Sequence, residues 1–236
     1  MQIALLLSGG VGTRLASDIP KQYIEIQGRP IISYCIRRLS SHSGIDGLQI
    51  VADPSWRGRI EKWLCREDLG KKFRGFSDPG RNRQLSILHG LEDIRRYADA
   101  SDYVLIHDAA RPLLSERLLF DCLEAAAGHD GAIPVLPMKD TVYLSEDGNT
   151  ISALLDRSRI FAGQAPEVFR LGAYYEANRQ LLPDKILEIN GSTEPAILAG
   201  MDIAMFPGDE GNFKITTQAD LERFQKIIAK NVLSEP

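Results

Sequence analysis

The feature that most constrains the fold is the first apolar run, Gln2 to Leu7, which ends directly in two glycines. A short, continuous apolar run of this kind is typical of a strand buried on both faces of a parallel sheet. Four further runs have the same character: Leu48 to Ala52, Tyr103 to His107, Gly131 to Val135 and Asp202 to Phe206. The chain is therefore predicted to build a mainly parallel sheet.

Helical patterns separate these runs. In the long pattern from Gln84 to Tyr97, leucine or isoleucine recurs every third residue and marks one buried face. The other helical segments are Ile31 to Leu39, Trp56 to Cys65, Glu116 to Ala127 and a closing helix from Gln218 to Ala229. Strands that alternate with helices indicate a three-layer α/β fold, and we expect a single domain over residues 1–236.

Composition narrows the functional classes. The chain has 236 residues, 44% of them hydrophobic, and a net charge of −4 without any basic run, which argues against a nucleic-acid partner. The first apolar run is too short to cross a bilayer, so we expect no membrane partner. Cys35, Cys65 and Cys122 are odd in number and lack metal-ligand spacing, so they are interpreted as reduced packing residues of a cytoplasmic protein.

One stretch, Asp140 to Leu155, breaks the alternation. Residues 141–144 and 150–154 have strand character and flank a turn-rich segment that contains Asp147-Gly148. This predicts a protruding β-hairpin arm over residues 139–158. Because a two-stranded ribbon is only marginally stable alone, we expect the arm to lie on a second copy of the chain in a homodimer.

The loop after the first strand is rich in glycine, and glycines let backbone N–H groups surround an anion. It continues to Arg14, which adds a fork of donors for phosphate, and Lys21 follows after Pro20. A plain tight turn and a solvent-exposed Lys21 are the simpler alternatives. The loop lacks the Gly-Lys-Ser/Thr ending of a Walker A motif and the third glycine of a dinucleotide fingerprint, although an NAD-dependent dehydrogenase is a further contender.

The segment LLLSGGVGTRLASDIPKQY, residues 5–23, resembles the signature of the cytidylyltransferases that activate polyol phosphates, the family of 2-C-methyl-D-erythritol 4-phosphate and ribitol 5-phosphate cytidylyltransferases. Later motifs of that family follow in order over nearly the whole chain, at residues 80–86, 104–112, 140–141, 156–157, 164–166 and 211–216. The resemblance implies a Rossmann-like, GT-A-like nucleotidyltransferase whose β-hairpin arm mediates dimerisation.

The resemblance also implies roles for individual residues. Asp108 would bind Mg²⁺, and the catalytic cations would be Arg14, Lys21 and Lys214. The nucleotide would be bound by Ser8, Gly9, Gly10, Gly12, Thr13, Gly80, Arg83, Ser86 and Ala109, and the acceptor by Arg111, Thr141, Arg157 and Glu194. Thr141 and Arg157 would come from the partner subunit.

Simpler interpretations exist for some of these residues. Asp108 could cap the next helix, although Ser115 is the better cap, and Arg157 could pair with its neighbour Asp156. His107 is expected to be a packed or capping histidine rather than a base. Arg81 is expected to be an ordinary surface arginine.

The reaction implied is transfer of CMP from CTP to a small polyol phosphate, with release of pyrophosphate. The chain reads Gln164-Ala165-Pro166-Glu167 where the family commonly has Gln-Thr-Pro-Gln, and residues 192–196 also depart from the family pattern near the acceptor pocket. The acceptor therefore stays open between methylerythritol phosphate, ribitol phosphate and another phosphate or phosphonate. A non-catalytic nucleotide-binding regulator is the alternative from another class.

Overall fold

The computed structural model describes residues 1–10 and 19–233, with side chains as far as residue 230. The strands are β1 (Gln2–Leu7), β2 (Glu25–Ile26), β3 (Arg29–Pro30), β4 (Gly47–Val51), β5 (Phe73–Ser77), β6 (Tyr103–Asp108), β7 (Gly131–Pro137), β8 (Val142–Leu144), β9 (Ala153–Leu155), β10 (Phe161–Gly163), β11 (Glu167–Arg170) and β12 (Ile203–Pro207). The helices are α1 (Ile31–Ser41), α2 (Pro54–Arg66), α3 (Arg83–Ile94), α4 (Glu116–Ala125), α5 (Leu171–Arg179), α6 (Glu194–Leu198) and α7 (Gln218–Leu233). Within these described ranges, no helix has the length and apolar character needed to cross a membrane.

An eight-stranded sheet forms the centre of the fold. β1 lies between β4 and β6 and is parallel to both, and β4 is parallel to β5. β11 lies between β6 and β7 and runs antiparallel to both, so it connects the parallel strands around β1 with the strands around β7. β12 is parallel to β7, and β10 is antiparallel to it. The predicted α/β class with a mainly parallel sheet is confirmed, with β10 and β11 as the antiparallel exceptions.

Both faces of the central strands are buried. Ala4 and Leu6 of β1 face a core with α1, α2 and α4, whereas Ile3 and Leu5 face a second core with α3 and α5. Successive side chains of a strand point to opposite faces, which explains why the run is apolar at every position. The two cores and the sheet between them are the three predicted layers. Helix α7 closes a smaller cluster around Ile31.

All five predicted strands and all five predicted helices are present, with their ends displaced by a few residues. Helix α3 ends at Ile94 rather than at Tyr97, because the N–H groups of Arg96 and Tyr97 donate to the carbonyls three residues earlier. The prediction that all three cysteines pack in the interior is wrong for Cys65, which is exposed on α2, whereas Cys35 and Cys122 are buried.

The predicted hairpin is also present. β8 and β9 pair antiparallel in a sheet of their own. Asp147 organises the connection by accepting hydrogen bonds from the backbone N–H groups of Asn149 and Thr150, both at 2.8 Å. Large apolar side chains of this arm are exposed, namely Tyr143, Leu144, Ile151 and Leu154. Their exposure fits a surface that a second copy could cover, and the arm's role in dimerisation stays a prediction.

The stacked pair Phe169–Tyr174 provides a test of the core. Both side chains are fully buried, and their ring centroids lie 4.0 Å apart. We expect Phe169→Ala to lower the free energy of unfolding by about 3–5 kcal/mol, since it opens a cavity beneath the sheet. Phe120→Ala, at an exposed position of α4, should change it by less than about 0.5 kcal/mol. Urea unfolding of both variants measures the difference, and equal effects would contradict this account of the core.

Candidate active site

The start of the glycine loop is fixed by the segment that follows it. Gln22 donates hydrogen bonds from Nε2 to the carbonyls of Ser8 and Gly10, at 2.7 and 2.8 Å. The Tyr23 hydroxyl lies 2.5 Å from the Ser8 hydroxyl. The motif that contains Lys21 therefore also holds the first turn of the loop in place. Sequence reasoning assigned no role to Gln22 or Tyr23, although both stand directly beside Lys21.

Gly9 lies against the turn that precedes α3. A Cβ atom at Gly9 would come within 2.5 Å of the Cβ atom of Pro79, so a larger residue would push the two segments apart. Gly10 has open space around it. The remaining predicted loop residues, Gly12, Thr13 and Arg14, lie outside the described residues. Lys21 is half-buried at the start of a 3-10 turn, Lys21–Tyr23, that leads back toward the sheet.

The turn from Asp78 to Asn82 and the first turn of α3 together bring three of the predicted nucleotide-binding residues, Gly80, Arg83 and Ser86, into one place. Ser86 Oγ accepts a hydrogen bond from the Gly80 N–H at 2.9 Å and donates one to the Asn82 carbonyl. Asn82 caps α3, because its side chain accepts a hydrogen bond from the N–H of Leu85. A Cβ atom at Gly80 would lie 2.3 Å from that of Leu85, so this position requires glycine. Arg81 is exposed, as predicted.

Asp108 is the centre of the charged cluster. It ends β6, and the next N–H, that of Ala109, donates to the Leu7 carbonyl at 3.0 Å, which places the carboxylate beside the glycine loop. Arg83 Nη2 lies 3.1 Å from its Oδ1 atom, and Lys214 Nζ lies 2.8 Å from its Oδ2 atom. Three residues that are far apart in sequence and were predicted to serve the site are thus in direct contact.

The charges of this cluster determine its protonation. Burial raises the pKa of Asp108, but Arg83 and Lys214 outweigh burial and hold the pKa well below its usual range. Burial disfavours the charged guanidinium of Arg83, yet Asp108 and Glu167 raise its pKa overall. The carboxylate and the guanidinium are therefore both charged at neutral pH.

His107 is a packing residue, as expected. It is fully buried, and its Nε2–H donates to the carbonyl of Arg111 at 3.0 Å. Burial lowers its pKa to about 4, so the ring is neutral at pH 7. The alternative for Asp108 as a helix cap does not apply, because Ser115 caps α4 by accepting the N–H of Leu118.

Lys214 is held by the segment before α7. Arg111 donates from Nη1 to the Asn212 carbonyl at 2.7 Å, and the N–H of Ile215 donates to the Ala110 carbonyl at 2.8 Å. Asn212 in turn donates to the Ala165 carbonyl. These bonds fasten the residues on either side of Lys214 to the end of β6. Arg111, an expected acceptor ligand, lies beside the cluster with one donor committed to this backbone.

The other expected acceptor residues lie apart from the cluster in sequence and in contacts. Thr141 is exposed next to β8. Arg157 donates to the Lys139 carbonyl at 2.9 Å, and Asp156 instead accepts from the N–H and hydroxyl of Ser158, so the alternative of an Asp156–Arg157 pair does not apply. Glu194 starts α6 and accepts the N–H of Asn190 at 2.9 Å.

A model of one protein family, described as 2-C-methyl-D-erythritol 4-phosphate cytidylyltransferase (IspD), matches residues 2–230. The chain belongs to the IspD family. A relative in this family, the 2-C-methyl-D-erythritol 4-phosphate cytidylyltransferase of Geobacillus thermodenitrificans, is 32% identical over 231 residues, which cover 97% of each chain. The ribitol-5-phosphate cytidylyltransferase of Vibrio parahaemolyticus is 31% identical over 229 residues, 97% of this chain and 96% of the relative.

Some IspD relatives are longer proteins. The bifunctional enzyme IspD/IspF of Granulibacter bethesdensis is 34% identical over 238 residues, which cover 98% of this chain and 57% of the relative. The chain thus spans little more than half the length of such relatives. Among solved structures, the 4-diphosphocytidyl-2C-methyl-D-erythritol synthase of Anaerococcus prevotii has a TM-score of 0.82 at 23% identity, covering 97% of this chain and 96% of that one. This likeness shows that the fold is that of IspD proteins.

The charged cluster generates a prediction about pH. Asp108 has a lower pKa in the folded chain than in the unfolded chain, so its ion pairs stabilise the fold fully above about pH 4, and the contribution is lost as the pH falls further. We expect Asp108→Asn to lower the free energy of unfolding by about 2 kcal/mol at pH 7, because Arg83 and Lys214 lose their partner. The deficit should persist down to about pH 4 and narrow below it.

Urea unfolding from pH 7 to pH 3 measures this effect. Asp121→Asn is the matched control, because Asp121 pairs with Arg117 at the surface of α4 and its loss should have a much smaller effect. A deficit of Asp108→Asn that grows as the pH is lowered would contradict the proposed ionisation.

Proposed function

We propose that the chain is a cytidylyltransferase that transfers CMP from CTP to a small polyol phosphate and releases pyrophosphate. The observation that carries the proposal is the contact of Asp108 with Arg83 and Lys214 beside the glycine loop. In open α/β sheets, ligands bind outside the carboxyl ends of the strands, which is where this cluster lies. The named activities of the IspD relatives support the same reaction.

In this reaction a phosphate oxygen of the acceptor attacks the α-phosphorus of CTP. A new P–O bond forms, the bond from the α-phosphorus to the bridging oxygen breaks, and pyrophosphate leaves with the electron pair. The attacking group is already an anion at neutral pH, so no general base is needed. The neutral, buried His107 is in keeping with such chemistry, since it is unsuited to accept a proton from substrate.

The main barrier is repulsion between anions, and cations fixed in advance lower it. Lys214 would contact the reacting phosphates, and Arg83 would stay beside the nucleotide. Lys21, together with Arg14 in the part of the loop outside the described residues, would hold the triphosphate. The rigid attachment of Ser8 and Gly10 to Gln22 supports this assignment, because it fixes the start of the loop before substrate arrives.

Mg²⁺ fits the donor set. Asp108 offers ionised carboxylate oxygens, the ligands that Mg²⁺ prefers, and no group of three or more metal-ligating side chains occurs within residues 1–10 and 19–233. A single carboxylate is the usual protein share when substrate phosphates supply further ligands. Bound there, Mg²⁺ would neutralise charge that develops on the phosphates. Asp108 would hold it, and Lys214 and Arg83 would then have to move away from the Asp108 carboxylate.

The acceptor is the open part of the proposal. Methylerythritol phosphate and ribitol phosphate are the two candidates, because relatives of nearly equal identity carry both names. Arg111 and Glu194 would contribute from this chain. A pyrophosphate-release assay with CTP and Mg²⁺ against both compounds, other polyol phosphates and a phosphonate separates the acceptors. No release with any of them, despite binding of CTP, would favour a nucleotide-binding regulator instead.

The proposal includes a homodimer in the cytoplasm. The exposed apolar side chains of the arm support dimerisation, because a second copy would cover them and would bring Thr141 and Arg157 to the other subunit's acceptor. The free thiols of Cys35, Cys65 and Cys122 are in keeping with a reducing compartment.

Lys214 is the most direct test of the charged cluster. We expect Lys214→Ala to lower kcat by roughly 10²-fold or more, the usual loss when one preorganised donor is removed from a transition state. Lys226→Ala, at an exposed position of α7, should leave kcat unchanged and serves as the matched control. Steady-state pyrophosphate release measures both variants, with circular dichroism to confirm folding. Near-normal turnover by folded Lys214→Ala would remove this residue from the mechanism.

The shared acceptor site predicts complementation between subunits. Arg157→Ala and Lys214→Ala should each be nearly inactive, because each homodimer lacks one residue at both sites. After the two are mixed in equal amounts and subunits exchange, about half of the dimers are mixed and carry one intact site, so activity should recover to about a quarter of that of the unmodified protein. Activity that stays at the level of the single variants after demonstrated exchange would place Arg157 outside the partner's site.

A further inference from the structure

Glu167 is a buried carboxylate to which the proposed reaction assigns no role. It begins β11 and is only 8% exposed. Two hydroxyls hold it in place: Ser192 Oγ donates to its Oε2 atom, and Thr193 Oγ1 lies 3.4 Å from the same atom. A buried acid requires compensation by a nearby cation, since burial otherwise disfavours its charge.

The sheet register identifies that cation. Glu167 lies opposite Ile106 on β6, two residues before Asp108, so the side chains of Glu167 and Asp108 lie on the same face of neighbouring strands. Arg83, at the first turn of α3, covers this face and contacts Asp108 directly. Burial raises the pKa of Glu167, and of the nearby charges Arg83 is the one that opposes this most strongly. Arg83 is therefore attracted by two carboxylates, Asp108 through direct contact and Glu167 through its charge on the same face of the sheet.

The contacts of Arg83 have a consequence for metal binding at Asp108. Arg83 makes its close contacts with Asp108, the same carboxylate that would bind Mg²⁺ in the proposed function. When Asp108 turns to a metal, the mostly buried guanidinium loses this partner. Both hydroxyls contact Oε2 of Glu167, so neither engages Oε1.

We propose that Glu167 is a positioning residue that receives Arg83 when Asp108 binds the metal of the CTP complex. This inference rests on the proposed function, because it takes Asp108 as the metal ligand. Glu167 would act through Arg83 and not touch substrate. Ser192 and Thr193 contact Glu167, so the transfer of Arg83 from Asp108 to Glu167 would also affect the segment that leads to Glu194 and the acceptor side.

The test is Mg²⁺ binding rather than turnover. Isothermal titration of Mg²⁺ into the full chain saturated with CTP gives the Kd. We expect Glu167→Gln to weaken binding roughly tenfold, the loss expected when one charge-assisted hydrogen bond must be broken without replacement. Thr193→Asp, added to Glu167→Gln, places a carboxylate at the same point and should restore most of the affinity.

A second background separates action through Arg83 from direct attraction of the metal by Glu167. With Arg83→Met, which keeps the apolar stem, the substitution Glu167→Gln should no longer change the Kd. An unchanged Kd for Glu167→Gln alone, or an equal weakening in both backgrounds, would overturn the proposal. Failure of the unmodified chain to bind CTP at all would instead count against the proposed function.

If Arg83→Met does not fold, urea unfolding without metal gives an independent answer. Asp108→Asn and Glu167→Gln each leave Arg83 one carboxylate, whereas the double variant leaves it none. We expect the double variant to lower the folding equilibrium constant roughly tenfold more than the product of the two single effects. If the double variant lowers the folding equilibrium constant only by the product of the two single effects, the two carboxylates do not share Arg83, and the proposal is wrong.

Discussion

The ion pairs of Asp108 connect the main parts of this molecule. The carboxylate stands at the end of a central strand, Arg83 comes from the first turn of α3, and Lys214 precedes α7. These contacts draw together segments more than 100 residues apart in sequence. Each of the three charges lies at the rim of the sheet and would be unfavourable there without the others. The cluster is thus a structural junction as well as the centre of the proposed chemistry.

Several backbone carbonyls around the charged cluster accept hydrogen bonds from side chains of the protein itself. Carbonyls of Ser8 and Gly10 are occupied by Gln22, and that of Asn212 is occupied by Arg111. Arg83 and Lys214 lie at the Asp108 carboxylate beside these segments, and the adjacent His107 is neutral.

Five strands of the sheet, β1, β4, β6, β7 and β12, could be predicted from sequence because burial leaves a continuous apolar run. β5, β10 and β11 could not, since β5 carries Arg74 and Gly75 in a register shift, and β10 and β11 are short. The site residues came from spaced motifs, which identify residue types and order. Contacts around these residues, such as that of Ser192 with Glu167, depend on the antiparallel insertion of β11, and no local pattern predicts that insertion.

The residues of the hairpin illustrate the same limit. Its two strands and its Asp-Gly turn could be predicted from local patterns, whereas a surface that would cover the exposed apolar side chains of the arm leaves no local pattern in the sequence. The pairing of Asp156 with Ser158 rather than with Arg157 was also not apparent from sequence, because it depends on the 3-10 turn Arg157–Arg159, which Asp156 caps by accepting the N–H of Ser158.

The packing of Gly9 against Pro79 bears on how the two halves of the proposed nucleotide site can change over evolutionary time. The glycine loop and the turn that carries Gly80 touch through backbone and a rigid ring, without a flexible side chain between them. A displacement of one segment is therefore transmitted to the other. Variation at Gly9 and variation at Pro79 are therefore each constrained by the shape of the other segment.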